Sequence, residues 1–359
     1  MTLASKLLEG YCPEGYDIVE EGLTPDIVME RANSICIECI TALYEAAEDY
    51  FTGDLVAQTQ VLTEGVGVVD KIKELIGKFV DRIKKIWEWF FEKVGKFPSW
   101  IKSMFSKLRE RVDKMIVKFN GGYDVTAPDL SAVNDYIKEV GDVQDNVKTY
   151  SNDMSKMYNN VNLASLLKTA AQIISDASQS SDKDDVSITD KIDNEVSKMY
   201  KDDGRESRNE KLDECTAALI AAQDKLDSAK EVTVKSSKVL DCIKNIQKAI
   251  SSVESNIIKP IETSSRTVEK ILKDIKSDSF KSSLEHAFIS GKDDDSSIGT
   301  KCASRYIQSS VKILGEVTTD MNKLMSAANS ILKGYETASS RLVRAVQSKV
   351  EDGDNGGDN

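Results

Sequence analysis

Few residues of this 359-residue chain have the type and spacing that catalysis or metal binding requires. Its one histidine, His286, lies in Ser-Leu-Glu-His-Ala-Phe without a nucleophile motif beside it, which predicts a structural or solvent-facing role. Cys36 and Cys39 have the CxxC spacing, but a structural zinc site needs further ligands and a thioredoxin-like motif needs a βαβ setting. We expect both cysteines to be small core residues one turn apart on a helix.

An acidic tripeptide, Asp293-Asp-Asp295, has the composition of a calcium loop but not its order. An EF-hand loop starting at Asp293 needs glycine at its sixth position and glutamate at its twelfth, where this chain has Ile298 and Ser304. The sequence also lacks a P-loop, a GxGxxG and a GxSxG motif. These patterns predict a protein that is not an enzyme and that carries no metal ion and no cofactor.

Four Glu-Gly dipeptides all lie within the first 65 residues of the chain. Two of them have a leucine two residues before the glutamate, and the residues of these two sites are Leu7, Glu9, Gly10, Leu62, Glu64 and Gly65. Both sites resemble the Leu/Ile-x-Glu–Gly/Ala/Ser sequences that prohead proteases of large tailed bacteriophages cleave. The alternative is that Gly10 and Gly65 end helices as C-caps, a position that favours glycine.

The site at Glu64 separates two segments of opposite charge. Residues 1–64 contain thirteen Asp or Glu and two Lys or Arg, a net charge of about −11. Residues 71–119 contain fourteen Lys or Arg and six Asp or Glu, a net charge of about +8, although the whole chain is at −12. We expect the acidic segment to mask the basic one until cleavage after Glu64 separates them.

The basic segment, residues 65–120, is predicted to form an amphipathic helical hairpin. It holds all three tryptophans and has apolar residues at helical spacing on both sides of Pro98. Basic amphipathic helices bind DNA phosphates or anionic membranes, and the sequence leaves both possibilities open. The residues predicted to make this contact are Lys78, Arg82, Lys84, Lys85, Trp87, Trp89, Lys93, Lys96, Trp100, Lys102 and Lys107.

The order of these segments is similar to that of internal virion proteins of large tailed bacteriophages, in which an acidic propeptide, a Leu-x-Glu-Gly site and a basic helix precede long helices. The resemblance implies a non-enzymatic structural protein of the phage head, assembled in the host cytoplasm among other virion proteins and cleaved after Glu64. Two alternatives stay open. One is a membrane-active or pore-forming α-helical protein, and the other is a helical scaffold or adaptor with the hairpin buried in its bundle.

The remainder of the chain predicts an all-α fold, an elongated bundle of long coiled-coil-like helices over residues 129–350. Aromatic residues make up only 6% of the chain, and no segment alternates like a β-hairpin. Apolar heptads predict long helices whose seams also offer a surface for homo-oligomers. The seam predicted for the first helix consists of Val133, Tyr136, Val140, Val143, Val147, Tyr150, Met154, Met157 and Val161, and the seam of the last includes the polar residues Thr318 and Ser339. These helices are expected over residues 133–161, 209–275 with a kink at Pro260, and 302–350.

Polar linkers are expected near residues 176–187, 201–208 and 290–300, and residues 351–359 read as a disordered acidic tail. The first ten residues lack the apolar core of a signal peptide, and no apolar run approaches the length of a membrane-spanning helix. The sequence therefore predicts neither export nor a transmembrane segment.

Overall fold

The computed structural model of the chain describes residues 95–116, 122–179, 185–201, 204–289 and 296–354, together with Gly77 and Asp81. Within these ranges the chain is mostly helical, with one two-stranded sheet, which confirms the predicted all-α class. The coiled-coil character of the helices stays a prediction.

The elements follow one another in this order. Residues 95–116 are helical (α1). The later helices are α2 (Leu130–Tyr158), α3 (Leu163–Gln179), α4 (Asp185–Met199), α5 (Arg205–Asp227), α6 (Ser236–Ser251), α7 (Lys259–Lys276), α8 (Asp278–Ile289) and α9 (Ser296–Asp354). The strands are β1 (Asp124–Pro128) and β2 (Glu231–Lys235), and a π-helical turn, Glu254–Ile258, joins the end of α6 to α7.

The described residues fall into two compact units. The first unit takes its described residues from 155–202 and 265–322, together with Gly77 and Asp81, and the second from 95–154, 203–264 and 323–359. Each unit has its own apolar core.

In the first unit, α3 packs against α8 and α4. The start of α3 is held by two side chains: Asn162 Oδ1 accepts a hydrogen bond from Ser165 N at 2.7 Å, and Asp274 Oδ2 accepts one from Ala164 N at 3.0 Å. The first is an ordinary N-cap, while the second comes from α7 and so ties two helices together. Apolar residues fill the core around them, among them Leu163, Leu167, Ile192, Val268, Ile275, Phe280 and Val317.

The core of the second unit contains the heptad positions predicted for α2 and α9. Every predicted seam residue of α2 within this unit is buried: Val133, Tyr136, Val140, Val143, Val147, Tyr150 and Met154. Gly334 of α9 lies against α2, because a Cβ atom built on it would be 2.6 Å from Val140 Cγ2. The apolar periodicity therefore identified the buried faces correctly.

A chain of polar groups crosses the same core. The buried Tyr335 hydroxyl donates to Gln144 Oε1 at 2.9 Å, and Gln144 Nε2 donates to Ser252 Oγ at 2.6 Å. Ser252 Oγ in turn donates to Ala249 O at 2.8 Å. Because each of these buried groups has a partner, the network fixes α2, α9 and the end of α6 in one register.

The single helix predicted over residues 209–275 is wrong, because a strand interrupts it. Helix α5 ends at Asp227, where Ser228 N donates to Asp224 O at 3.0 Å, and β2 follows. The run Val232-Thr233-Val234 is β-branched, which favours an extended backbone over a helix. β2 pairs antiparallel with β1, which lies more than a hundred residues earlier, so two strands occur where the sequence predicted only helices and linkers.

The helix predicted through Pro260 is irregular just before this residue. Pro260 lies in the first turn of α7, and the irregular segment is the π-helical turn Glu254–Ile258 just before it. Since proline has no N–H to bond the carbonyl four residues earlier, the backbone of that turn must find other partners. The kink itself stays a prediction.

The polar linkers are shorter than predicted. Helix α3 continues to Gln179, α4 starts at Asp185 and α5 starts at Arg205. Helix α9 begins at Ser296, within the linker predicted near 290–300, and its end at Asp354 overlaps the predicted acidic tail. The remainder of that tail, 355–359, lies outside the described residues.

Candidate functional site

The second arm of the predicted basic hairpin is helix α1, which forms part of the second unit. Its apolar stripe is buried there and consists of Phe97, Ile101, Phe105, Leu108 and Val112. These residues follow one another at intervals of three or four, so they form one face of the helix. The stripe is therefore covered by the protein itself.

The opposite face of α1 carries the positive charge. It presents the exposed residues Lys96, Lys102, Lys107, Arg109, Arg111 and Lys114. Carboxylates on the same helix pair with two of them: Lys114 Nζ lies 2.6 Å from Glu110 Oε1, and Arg109 Nε lies 3.9 Å from Asp113 Oδ2. Exposed i,i+4 pairs of this kind leave the cationic side chains accessible to other anions.

Two further cations of α1 pair with carboxylates from other elements. Lys102 Nζ lies 3.3 Å from Glu254 Oε1 of the π-helical turn, and Arg111 Nη2 donates to Glu336 Oε1 of α9 at 2.5 Å. Lys107 has no ion pair with a described residue. The cationic face is thus partly neutralised by the fold and partly open to solvent.

Of the residues predicted to contact DNA or membrane, four belong to α1 and the others lie outside the described residues. Lys96, Lys102 and Lys107 lie on the exposed face, and Trp100 is half-buried with its ring centroid 5.6 Å from that of Phe97. The others lie outside the described residues: Lys78, Arg82, Lys84, Lys85, Trp87, Trp89 and Lys93. The same holds for every residue of the two predicted cleavage sites: Leu7, Glu9, Gly10, Leu62, Glu64 and Gly65.

A cluster of tyrosines and carboxylates in the first unit was not predicted from the sequence. Tyr158 Oη donates to Oδ2 of the fully buried Asp320 at 2.9 Å, and its ring stacks on that of Tyr200 with centroids 5.5 Å apart. Tyr200 Oη donates to Glu316, one turn before Asp320 on α9. The sequence did contain a signal for this cluster. Glu316 and Asp320 are four residues apart beside the predicted apolar seam, so they lie on the same face of one helix.

The electrostatics of this cluster favour a structural role. Burial raises the pKa of Tyr158 far above its ordinary value, and the charge of Asp320 raises it further. The phenol therefore stays protonated and donates a hydrogen bond to the carboxylate. A donor of this kind compensates a buried charge, whereas a general acid or base needs a pKa near the working pH.

Two cysteines, Cys215 and Cys242, also lack the low pKa of a nucleophilic thiol. Cys215 and Cys242 are free thiols, and burial raises the pKa of both. Asn146 Nδ2 approaches Cys215 Sγ at 3.0 Å, but a protonated thiol is a weak nucleophile. Cys36 and Cys39 lie outside the described residues, and His286 lies within helix α8.

Among the residues that the structure describes, no group of three or more His, Cys, Asp or Glu could hold a metal ion. The acidic tripeptide 293–295 lies outside those residues. Within the same ranges, every helix is too short or too polar to cross a membrane.

Comparisons of the chain with protein-family models, with curated proteins and with solved structures found no match. The functional interpretation therefore depends on the sequence patterns and on the geometry of α1.

Proposed function

We propose that the chain is a non-enzymatic structural protein of a tailed-bacteriophage virion, located inside the head and matured by cleavage after Glu64. The observation that carries the proposal is the position of the sequence Leu62-Thr-Glu64-Gly65. It lies between an acidic segment with a net charge of about −11 and a basic segment with a net charge of about +8.

We further propose that the mature protein contacts DNA phosphates through the exposed face of α1. Six Lys and Arg lie on that face, and side chains of this type neutralise phosphates without reading sequence. The geometry suits this mode because the apolar stripe of the helix is already buried and the cationic face alone is presented.

The membrane-active alternative is less well supported for this helix. Inserting α1 into lipid would expose the apolar surface of the second unit that its five stripe residues cover, at a cost on the order of 10 kcal/mol. An anionic membrane contributes about 1 kcal/mol for each Lys or Arg. Six such residues, two of them already paired with Glu254 and Glu336, do not offset that cost.

The burial of the α1 stripe also favours a second candidate, a helical scaffold or adaptor. In that case the cations of α1 serve the fold through their ion pairs, and the chain binds neither DNA nor lipid. This candidate and the leading proposal differ in two measurable properties, the processing of the N-terminal segment and the salt dependence of DNA binding.

Processing is tested by the intact mass of the protein from purified phage particles. We expect a mature chain that begins at Gly65. Glu64→Gln should block the cut, whereas Glu14→Gln should not, because Cys12 replaces leucine two residues before Glu14 in an otherwise similar Glu-Gly site. Particles whose protein still begins at Met1 or Thr2 would refute the proposed maturation.

DNA contact is tested by the salt dependence of binding to random-sequence duplex DNA. Glu254→Gln frees Lys102, and Glu336→Gln frees Arg111, so each change should steepen the slope of log K against log salt by about 1. Asp213→Asn is the matched control, since it breaks an exposed pair with Lys323 away from α1 and should leave the slope unchanged. Equal slopes in all variants would favour the scaffold over the DNA-binding protein.

A further inference from the structure

The β1–β2 ribbon leaves one edge of its second strand unpaired. Asp129 N donates to Lys230 O at 3.1 Å, and Ser236 N donates to Tyr123 O at 2.9 Å, which fixes the hydrogen-bonded pairs at the two ends of the ribbon. Hydrogen-bonded and non-hydrogen-bonded pairs alternate in an antiparallel ladder. Val232 and Val234 therefore bond to β1, and the other three residues of β2 point their backbone N–H and C=O groups away from β1.

The outward-pointing residues are Glu231, Thr233 and Lys235. All three are exposed, and in the described part of the chain no other strand pairs with them. The C=O of Lys235 lies at the N-cap of α6, where it accepts the first bond of that helix, but its N–H remains outside. An edge of this kind is a template for a further strand.

An apolar side chain beside this edge, that of Val232, is only partly buried. Val232 is 37% exposed and is one of two large apolar residues of the described chain that are exposed to this degree. It faces the same side of the ribbon as Val125 and Ala127, which are buried in the core of the second unit. A strand added to β2 would extend this apolar face.

The sequence of β2, Glu-Val-Thr-Val-Lys, is complementary to itself in charge when it is read antiparallel. With a two-fold axis at Thr233, Glu231 of one copy lies opposite Lys235 of the other, and Val232 lies opposite Val234. In the same register the two Thr233 residues lie opposite each other. The outward N–H and C=O of each Thr233 therefore face those of the other copy. Parallel pairing would place like charges side by side, which is unfavourable.

We propose that two copies of this chain associate by antiparallel pairing of their β2 strands across Thr233, forming a continuous four-stranded sheet. Thr233 exchanges both of its backbone groups with Thr233 of the second copy, and each Lys235 N–H donates to Glu231 O of the other chain. This isologous contact differs from the helical seams predicted as an oligomer surface. Because a five-residue strand buries less than the 1,200–2,000 Å² or so of a standard interface, the association is weak and depends on concentration.

Sedimentation equilibrium of the full chain from about 10 µM to about 1 mM tests the proposal in a range suited to a small interface. Thr233→Pro removes the outward N–H but no bond to β1, and it should weaken association about tenfold or more. Thr126→Pro is the matched control: it makes the same change at the residue directly opposite on β1, and should leave association unchanged. A monomer at every concentration, or a dimer unaffected by Thr233→Pro, overturns the proposal.

A charge exchange tests the register without altering the backbone. Glu231→Lys alone gives two lysines opposite each other in the dimer, and Lys235→Glu alone gives two glutamates, so each variant should associate less tightly than the wild type. A mixture of the two variants restores both opposite-charge pairs and should associate more tightly than either variant by itself. No gain in the mixture overturns the antiparallel register.

Hydrogen exchange identifies the contact by residue. The amide of Thr233 should become protected as protein concentration rises, while the amides of Val232 and Val234, already bonded within the ribbon, should not change. Concentration-dependent protection at the α2 or α9 seam instead would place the interface elsewhere. Circular dichroism of each variant confirms that the ribbon substitutions leave the helices folded.

Discussion

Replacing Gly334 by alanine should destabilise the second unit, although alanine is the better helix former. A Cβ atom at this position would lie 2.6 Å from Cγ2 and 3.3 Å from Cγ1 of Val140. Both atoms belong to one β-branched side chain, which has a single strongly preferred rotamer in a helix and cannot easily turn away. Helices α2 and α9 must therefore move apart, or Val140 must adopt a strained rotamer.

The magnitude follows from two opposing effects. Overpacking a core costs about 1–3 kcal/mol, and two close approaches to a stiff side chain place this site near the upper end. Exchanging glycine for alanine within a helix returns about 1 kcal/mol. We therefore expect Gly334→Ala to lower the free energy of unfolding by about 2 kcal/mol.

Gly141 provides the matched control. It is also a helical glycine, on α2, but a Cβ atom built there meets nothing within 4 Å. Gly141→Ala should therefore raise the free energy of unfolding by about 1 kcal/mol, so the same substitution has opposite signs at the two sites. Urea denaturation followed by far-ultraviolet circular dichroism measures both changes.

A double-mutant cycle with Val140→Ala isolates the contact. Val140→Ala alone leaves a cavity and destabilises, but in the Gly334→Ala background it removes the clash, so the two effects should be far from additive. If Gly334→Ala proves neutral or stabilising, or if the cycle shows no coupling, the close approach of α2 and α9 at Gly334 is refuted.

Three further predictions concern the polar groups. Tyr335→Phe leaves the buried Gln144 Oε1 without its donor and should lower the free energy of unfolding by about 1–3 kcal/mol in urea denaturation. Burial raises the pKa of Asp274 above its ordinary value of 3.8, so the stability from its protonated form is present below 3.8 and is lost as pH rises through the folded-state pKa. The stability of Asp274→Asn relative to wild type should accordingly increase with pH over that window, and a pH-independent difference would contradict the assignment. Hydrogen bonds from the backbone N–H and hydroxyl of Ser131 lower the pKa of Asp129. Asp129→Asn should therefore have a lower free energy of unfolding than the wild type above pH 3.8, and this difference should shrink as pH falls below 3.8.

The class of the fold and its buried faces followed from the sequence because apolar periodicity reports burial directly. Along α2 and α9 most of the described heptad positions coincide with the core, including polar members such as Thr318 and Ser339, but at Met157 the seam fails, because Met157 is only half-buried and Tyr158 beside it is buried. Periodicity alone could not locate the interruption at β2, since Thr233 and Ser236 fit the helical spacing. The run of β-branched residues was the available signal, and a strand that pairs with one more than a hundred residues earlier depends on contacts that no local pattern contains.

The sequence predicted the cationic residues of the candidate site but not the carboxylates that pair with them. The cationic face of α1 is evident from the spacing of its lysines and arginines, whereas its counter-charges Glu254 and Glu336 are remote in sequence. The same limit applied to the Tyr158–Asp320 pair, whose members are separated by 162 positions. Local periodicity identifies which face of a helix is buried, and only the tertiary structure shows which partner buries it.

The partners of α1 bear on the masking that we propose for the acidic segment. The apolar stripe of α1 is buried, and Lys102 and Arg111 are paired with Glu254 and Glu336 of the second unit. Both ion pairs are formed within the second unit, so we propose that Lys102 and Arg111 do not need the acidic segment for these contacts. If residues 1–64 act as a mask, they act on the cations that the second unit leaves unpaired, of which Lys107 is the clearest case in α1. On this view the proposed cleavage after Glu64 would expose those unpaired cations.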